Sequence, residues 1–357
     1  MKCLIRRTAF FFLVLAAVLT AVPAAGCAGK SSQSKPAESS DKEAGTEGIE
    51  AEEGPKIGIS IYRYDDTFMK LYRSELKQYL EETYHAQVIM RNAGGDQNEQ
   101  DRQIREFIDS KCAGIIINPV EASAVGRIAD TSSQAGVPLV FINSEPDESE
   151  RNRWKNQHMA VSSVETDSKQ AGTYQGEIIL ENPGKGDRNR DGILSYVMIK
   201  GEAGSDAARY RTEYSIKALT DAGVKTEELF SGTGNWNREE GKKLAAQALS
   251  TYGPRIDVIF SNNDAMANGA LEAVEEAGMT PGKDVYLVGV DALQETVDYI
   301  KEGKIAGTVL NDHQGQSKTA ADTLIRLIQG EDAQTRYLVD YIKVTMNSTF
   351  HNWKGDD

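Results

Sequence analysis

The stretch that decides the fold is DVIFSNNDAMANGALEAVEEAGMTPGKDVYLVGVDA, residues 257–292. It starts with an apolar run, Asp257–Ser261, continues through a polar turn and a helical segment that ends at Gly278, and closes with a second apolar run, Val285–Gly289. Neither run alternates polar with apolar residues, which is typical of parallel strands covered on both faces. The stretch therefore predicts a β-α-β unit with a right-handed crossover.

The same alternation extends in both directions along the chain, with amphipathic helical segments between apolar runs. The runs fall into two sets of five, which predicts an α/β fold of two doubly wound parallel-sheet lobes. Ligands bind at the carboxyl ends of such sheets, so we expect a cleft there. The predicted strands are Ile57–Tyr62, Ala86–Met90, Gly114–Ile117, Val137–Ile142, His158–Val164, Ser195–Ile199, Glu227–Phe230, Asp257–Ser261, Val285–Gly289 and Ile305–Leu310.

Three chain crossings are expected to form a hinge between the lobes, near Ser163–Asp167, Asn311 and Lys343–Met346. The length of the folded part, some 300 residues, agrees with two domains. The predicted boundaries are 56–164 plus 312–343 for lobe 1 and 165–311 plus 344–357 for lobe 2.

The N-terminus predicts export. Residues 1–26 carry three basic residues, then the apolar run Ala9–Val22, and end in small residues before Cys27, as in a secretory signal peptide. The Gly-Cys end resembles the lipobox of bacterial lipoproteins, in which the cysteine is acylated, although Ala24 stands where leucine is usual. The alternative is an ordinary signal peptide with an incidental cysteine. Residues 27–55 are predicted to be a lipidated cysteine and a disordered tether, because they are almost free of large apolar side chains.

Charge and cysteine content exclude several classes of protein. The formal net charge is −14, and it becomes about −17 once the three basic residues of the signal peptide are removed. Such a surface repels nucleic acid and anionic lipid, so the sequence excludes a DNA-binding regulator and leaves the lipid anchor as the only membrane contact. Of the three cysteines, Cys3 is removed with the signal peptide and Cys27 would carry the lipid, so only Cys112 remains. A single cysteine excludes a disulfide framework and a thiolate metal site.

Polar side chains recur where the predicted strands end. Asp66 and Phe68 follow the first strand, and a carboxylate beside an aromatic ring suits a sugar, because the acid accepts hydrogen bonds from hydroxyls and the ring covers an apolar sugar face. The alternative is that Asp66 merely caps the next helix. Each such residue alone fits a cap or turn, but their recurrence at five strand ends favours a ligand site. The others are Asn143, Asn263, Asp291 and Asn311.

Five segments carry a family resemblance: YRYDDTFM (62–69), VPLVFINSEP (137–146), NNDAMANGA (262–270), GVDA (289–292) and AGTVLND (306–312). Together they resemble the galactose/glucose-binding proteins of bacterial ABC transport and chemotaxis. The resemblance implies the type I periplasmic binding protein fold with a three-segment hinge. It also implies a pyranose held between Phe68 and Trp236. The residues implied to hydrogen-bond the sugar are Asp66, Asn143, Arg211, Asn263, Asp291 and Asn311.

One segment departs from the family. Ser205 stands where the family has histidine, and Ala207 stands where it has aspartate. Both family residues contact sugar hydroxyls, so the choice of sugar is open; Asp206 substitutes only if the loop shifts by one residue. Trp236 also has an alternative interpretation, a surface tryptophan packed on its own lobe.

A separate segment, DRNRDGILS (187–195), predicts a structural calcium site. Oxygen ligands at alternate positions with glycine at the sixth form the first half of an EF-hand-like loop. The twelfth position is Met198, and the resemblance implies that Asp257 replaces the missing acid. The alternative is a polar turn of the same composition. The predicted ligands are Asp187, Asn189, Asp191, the Ile193 carbonyl, Ser195 and Asp257.

The resemblance implies a monomeric extracytoplasmic receptor, not an enzyme. It would deliver a galactose/glucose-type hexose to an ABC permease by hinge closure, on the outer face of the cell membrane or in the periplasm, with a chemoreceptor as a further partner. Two alternatives stay open: a receptor for another sugar, such as a ribose-like pentose or a signal sugar, and a glycosidase, since clefts with carboxylates also hydrolyse sugars.

Overall fold

A computed structural model describes residues 54–348. The predicted signal peptide, Cys27 and nearly all of the predicted tether lie outside this range. Within it, no helix is long and apolar enough to cross a membrane.

Lobe 1 contains a six-stranded parallel sheet in the order β11-β5-β4-β3-β1-β2. Helices cover both faces, as expected for strands without polar alternation. The strands are β1 (Lys56–Ile61), β2 (Gln87–Asn92), β3 (Gly114–Ile117), β4 (Leu139–Ile142), β5 (Val161–Glu165) and β11 (Arg336–Leu338). The helices are α1 (Thr67–Tyr84), α2 (Gln97–Asp109), α3 (Val125–Gln134), α4 (Glu148–Asn156) and α10 (His313–Ile328).

Lobe 2 contains a four-stranded parallel sheet in the order β7-β6-β8-β9, extended by single parallel bridges to the segment around β10, which pairs antiparallel with β12. Its strands are β6 (Leu194–Lys200), β7 (Thr226–Thr233), β8 (Val258–Ser261), β9 (Tyr286–Val288), β10 (Thr308–Leu310) and β12 (Ile342–Val344). Its helices are α5 (Ser168–Leu180), α6 (Asp206–Asp221), α7 (Arg238–Tyr252), α8 (Asp264–Glu276) and α9 (Gln294–Lys301).

The core of each lobe is divided by its sheet. In β3 of lobe 1, Ile115 and Ile117 pack against α2 and α3, whereas Ile116 packs on the opposite face with α1 and α10. Because neighbouring strand residues point to opposite faces, a strand that packs on both faces must be apolar throughout. The two-lobed parallel α/β architecture predicted from the sequence is confirmed.

The structure adds two short strands to the ten predicted and moves one crossing. β11 makes the lobe 1 sheet six-stranded rather than five-stranded, and β12 pairs with β10 of lobe 2. The third crossing therefore lies at 339–341, before the expected Lys343–Met346, and Ile342–Val344 belongs to lobe 2. The other two crossings lie at 166–167 and 311–312, between β5 and α5 and between β10 and α10.

Candidate functional site

A cavity of about 580 Å³ lies between the two lobes, where the strands of both sheets end. It is lined by the turns after β1, β3 and β4 of lobe 1 and after β6, β7, β8 and β9 of lobe 2, together with α6 and residues of all three crossings. All eight residues predicted to contact a sugar line it: Asp66, Phe68, Asn143, Arg211, Trp236, Asn263, Asp291 and Asn311.

On the lobe 1 side, Asp66 both caps a helix and faces the cavity. Its Oδ1 accepts the amide of Met69 at 2.8 Å, and its Oδ2 accepts the Tyr62 hydroxyl at 2.6 Å. Phe68 lies in the first turn of α1, where its ring packs edge-on against Tyr72. Asp66 therefore caps α1 and also lines the cavity, and its contact with a sugar stays a prediction.

Arg211 is the charged centre on the lobe 2 side, and only 6% of it is exposed. Its Nη1 donates to the carbonyl of Asn262 at 2.8 Å, and its Nη2 donates to the Tyr341 hydroxyl at 2.9 Å. Its Nε has no hydrogen-bond partner within residues 54–348. A buried donor without a partner is costly, so a ligand oxygen that reached this N–H would be stabilising.

Asp291 and Asn311 form a polar chain beside Arg211. Asn311 donates from Nδ2 to Asp291 at 3.3 Å and accepts from Gln316 at 2.7 Å, which fixes the orientation of its amide. Burial raises the pKa of Asp291 to about 7, although the guanidinium of Arg211, 3.9 Å away, opposes this shift. A carboxyl group so poorly solvated gains from any hydroxyl donor that enters the cavity.

Trp236 occupies a strained turn. Its φ is +63° and that of Asn235 is +52°, values that side-chain-bearing residues rarely adopt. One edge of the indole lies so close to Gly201 that a Cβ there would overlap it. Asn263, which caps α8, donates from its side chain to the Trp236 carbonyl at 3.2 Å. The indole therefore packs on its own lobe and also lines the cavity.

The segment that departs from the family, 203–207, lines the same cavity. Ser205 caps α6, accepting the amide of Ala208 at 3.4 Å, and the carboxylate of Asp206 pairs with Arg209 at 2.6 Å. Ala207 lines the cavity wall. Asp206 also lines the cavity, and its pair with Arg209 is about half exposed, so its substitution for the family's aspartate after a loop shift stays a prediction.

Sequence reasoning missed Asn118, Glu145 and Tyr341, which also line the cavity. Asn118 follows β3 as Asn143 follows β4, so the strand-end rule was sufficient to find it. Tyr341 carries no comparable signal, because it lies in the crossing between two three-residue strands.

Tyr341 connects the cavity to two of the crossings. Its hydroxyl accepts from Arg211 and from Thr166, each at 2.9 Å. Thr166 lies in the first crossing and Tyr341 in the third, so one buried phenol joins a cavity-lining guanidinium to both. A shift of the guanidinium would therefore act directly on the hinge.

The predicted calcium loop closes around its own carboxylates. Asp187 accepts the amides of Arg190 at 2.7 Å and Gly192 at 2.9 Å, and Gly192 has φ +90°. Asp257, from the start of β8, accepts the amides of Arg188 at 3.1 Å and Ser195 at 2.9 Å. The distant acid that the resemblance implied is therefore held against the loop.

The donor set fits calcium in part. Asn189 and Asp191 accept backbone amides at 2.9 Å through one oxygen each, and an oxygen that accepts one N–H retains a second lone pair for a cation. The Ser195 hydroxyl donates to Glu227 at 3.3 Å, which leaves its oxygen lone pairs free for a cation. Among residues 54–348, no group of three or more His, Cys, Asp or Glu is gathered to hold a metal. A cation here would depend on amide and carbonyl oxygens for much of its coordination.

Two parallel α/β lobes around a polar cavity with an aromatic ring from each side define a solute-binding receptor. Residues 57–332 match the family described as periplasmic binding protein domain. The chain is 35% identical over 283 residues to the D-galactose/methyl-galactoside binding periplasmic protein MglB of Haemophilus influenzae, covering 78% of this chain and 83% of that protein. It is 30% identical to a putative rhizopine-binding protein of Rhizobium meliloti, with coverage of 81% and 89%. The chain belongs to the periplasmic binding protein family.

Solved structures agree with this assignment. An ABC transporter solute binding protein from Bacillus halodurans with bound myo-inositol superposes with a TM-score of 0.71 at 27% identity, covering 83% of this chain and 96% of that one. The type I periplasmic binding protein fold is confirmed. The chain is a sugar-binding receptor of an ABC transporter and, as predicted, not an enzyme; the glycosidase alternative is wrong.

Proposed function

We propose that the receptor binds a galactose/glucose-type hexose in its pyranose form and delivers it to an ABC permease. The observation that carries this proposal is that Phe68 of lobe 1 and Trp236 of lobe 2 line the same cavity together with six polar candidates. A pyranose has two apolar C–H faces and a rim of hydroxyls. The two aromatic rings match the two C–H faces, and the six polar side chains match the hydroxyl rim. A small acyclic solute has no second apolar face for the second ring to cover.

The polar groups match the hydroxyl rim in hydrogen-bonding capacity. Asp66 and Asp291 only accept hydrogen bonds when ionised, Arg211 only donates, and the three asparagines do both. Each sugar hydroxyl both donates and accepts, so it can bridge an acid and a neighbouring donor. Bonds to charged groups are the stronger ones, which favours Arg211 and Asp291 as the main determinants of affinity.

Delivery would proceed by hinge closure. Ligand contacts come from both lobes, so the ligand favours the conformation in which both sets form together. The bond from Arg211 to Tyr341 supplies a physical link from the cavity to two crossings. Small-angle scattering is expected to show a smaller radius of gyration with bound sugar, and an unchanged radius at saturation would contradict closure.

Isothermal titration calorimetry of the mature chain tests the choice of ligand. We expect galactose or glucose to bind more tightly than ribose and myo-inositol, because a hexopyranose adds a hydroxymethyl group that neither of these carries and can make one more hydrogen bond to the polar groups. The matched variant Tyr299→Ala, an aromatic change outside the cavity in lobe 2, should leave the affinity unchanged. If ribose or myo-inositol binds more tightly than any hexose, the proposed ligand is wrong and the receptor is one for a pentose or a cyclitol.

We propose calcium as a structural ion in the 187–195 loop, where it would crosslink the loop to Asp257. Terbium luminescence is expected to rise with the parent protein, to fall when calcium is added, and to be lost in Asp191→Ala. The control Asp221→Ala removes an exposed acid that pairs with Lys217 and should behave like the parent. Equal luminescence from both variants would count against the loop.

Anchoring stays part of the proposal. Acylation of Cys27 would hold the receptor at the outer face of the cell membrane beside its permease, and a chemoreceptor remains a proposed second partner. Growth in labelled palmitate tests the anchor, since the parent and not Cys27→Ser should incorporate label.

A further inference from the structure

Asp264 is a buried acid that lies next to the cavity wall without lining it. It is the first residue of α8 and follows Asn263, which does line the cavity. Its side chain is fully buried, and burial together with the negative charge of Asp291 raises its pKa well above the ordinary range. A buried carboxyl group is costly unless it makes hydrogen bonds, so its partners indicate what it does.

Asp264 holds both ends of the turn 290–293, which follows β9. Its backbone amide donates to the carbonyl of Val290 at 2.7 Å, and its Oδ2 accepts the amide of Leu293 at 2.9 Å. Val290 is the first residue of the turn and Leu293 is the last. The side chain and backbone of one residue therefore fix the distance between the two ends of the turn.

Thr308 of β10 links Asp264 to the middle of the same turn. The Thr308 hydroxyl donates to Oδ1 of Asp264 at 2.7 Å, and its oxygen accepts the amide of Ala292 at 3.3 Å. The Thr308 side chain is fully buried, so water does not compete for these bonds. Asp264 and Thr308 therefore form one hydrogen-bonded unit that holds the turn at its ends and at its centre.

The turn depends on this support because its backbone is strained. Asp291 has φ +117° and Ala292 has φ +54°, values that residues with side chains rarely adopt. Such a conformation persists only where the surrounding contacts enforce it. The fit behind the turn is also tight, since a Cβ on Gly289 would overlap Oδ1 of Asp264. Loss of these contacts would let the Asp291 side chain change direction.

We propose that Asp264, with Thr308 as its bridge, is a positioning residue that holds the Asp291 carboxylate toward the bound sugar. This proposal rests on the proposed function, since Asp291 must contact the ligand. In the direction that the turn imposes, the carboxylate lines the cavity, 3.9 Å from Arg211 and 3.3 Å from Asn311. Asp264 acts through the backbone of the turn and does not touch the sugar itself.

The charges around Asp291 supply a readout that a purely structural residue would not change. Burial raises the pKa of Asp291 to about 7, Arg211 of α6 opposes this shift, and Asp66 of lobe 1 adds to it. The other acid beside it is Asp264 of α8. Sugar hydroxyls donate more strongly to an ionised carboxylate, so binding favours ionisation. The affinity is therefore expected to rise from about pH 6 to about pH 8 and then to level off.

Calorimetry of the mature chain tests the positioning role with whichever of galactose, glucose, ribose and myo-inositol binds the parent most tightly. Thr308→Val keeps the shape but removes the bridging hydroxyl, so we expect the affinity to fall about tenfold and to lose its rise with pH. Thr308→Ser restores the hydroxyl and should bind almost as the parent does. Asp264→Ala should lose at least as much affinity as Thr308→Val. Asp264→Asn can still accept from Leu293 and donate to Thr308, so it should recover most of the affinity.

Ser132→Ala is the matched control, because it removes a buried hydroxyl bond in α3 of lobe 1. It should leave the affinity and its pH dependence as in the parent. If Thr308→Val and Asp264→Ala melt at lower temperatures but keep the parent affinity and pH profile, Asp264 is only structural and the positioning role is overturned. If Asp264→Ala does not fold, the two Thr308 variants decide the question.

The choice of sugars separates this proposal from the proposed function. If ribose or myo-inositol is the tightest ligand, the hexose is wrong, and the variants still test the positioning role with that ligand. A parent protein that binds none of the four sugars overturns both proposals. Hexose binding that is unchanged in the folded Asp264 and Thr308 variants overturns the positioning role alone.

Discussion

Replacing Arg211 by methionine is expected to weaken hexose binding about a hundredfold. The guanidinium is buried, its two terminal nitrogens are held by the Asn262 carbonyl and the Tyr341 hydroxyl, and its Nε has no partner among the described residues. A hydrogen bond to a charged group contributes about 1.5–3 kcal/mol. The variant also leaves Asp291 buried without its countercharge. A combined loss of about 3 kcal/mol corresponds to roughly a hundredfold in Kd.

Calorimetry against the tightest-binding hexose measures this effect, and two further variants sharpen it. Arg211→Lys keeps the positive charge but loses the planar fork, so we expect an intermediate loss of about tenfold. Arg238→Met is the matched control, because Arg238 pairs with Glu272 and Glu295 near the surface, away from the cavity. If Arg211→Met binds within threefold of the parent, Arg211 does not contact the sugar.

Tyr341→Phe tests whether Arg211 only contacts the sugar or also transmits sugar binding to the hinge. The phenol touches the guanidinium and Thr166 but belongs to the hinge, so its removal is expected to reduce compaction in small-angle scattering more than it reduces affinity. A purely structural role would lower the melting temperature and leave the compaction on ligand binding as in the parent.

The parallel strands were predictable because a strand that is buried on both faces is a continuous run of apolar residues. A run such as Gly114–Ile117 must be apolar at every position. All ten predicted strands are present, although the edge strands β2 and β7 are not covered on both faces. β11 and β12 were not predictable, since each has three residues at a sheet edge. In β11, Arg336 pairs with the buried Glu165, and Leu338 is half exposed. The strand therefore shows neither an apolar run nor an alternation of polar and apolar residues.

The site was predictable to the extent that it follows from topology. Because parallel strands end at one edge, residues that follow five different strands converge, as Asn263 and Asp291 do. Arg211 lies inside a helix, and only the family resemblance pointed to it. The role of Tyr341 depends on which side chains meet across the cleft, which local patterns do not specify.

Trp236→Ala is expected to weaken hexose binding by more than tenfold. The indole lines the cavity opposite the lobe that supplies Phe68, and stacking on a sugar is worth on the order of 1 kcal/mol or more beyond the area buried. The indole packs closely against Gly201 before any ligand arrives, so little ordering cost remains on binding. The effect should appear in calorimetry mainly as lost enthalpy.

Gly201→Ala distinguishes stacking from simple support of lobe 2. A Cβ at Gly201 overlaps the indole, so the ring must leave its position although every cavity-lining side chain is retained. If Trp236 acts by stacking, Gly201→Ala and Trp236→Ala should lose similar affinity, and Trp236→Phe should recover part of it. If the indole only supports its own lobe, the alanine variants should lower the melting temperature while the Kd stays within threefold of the parent.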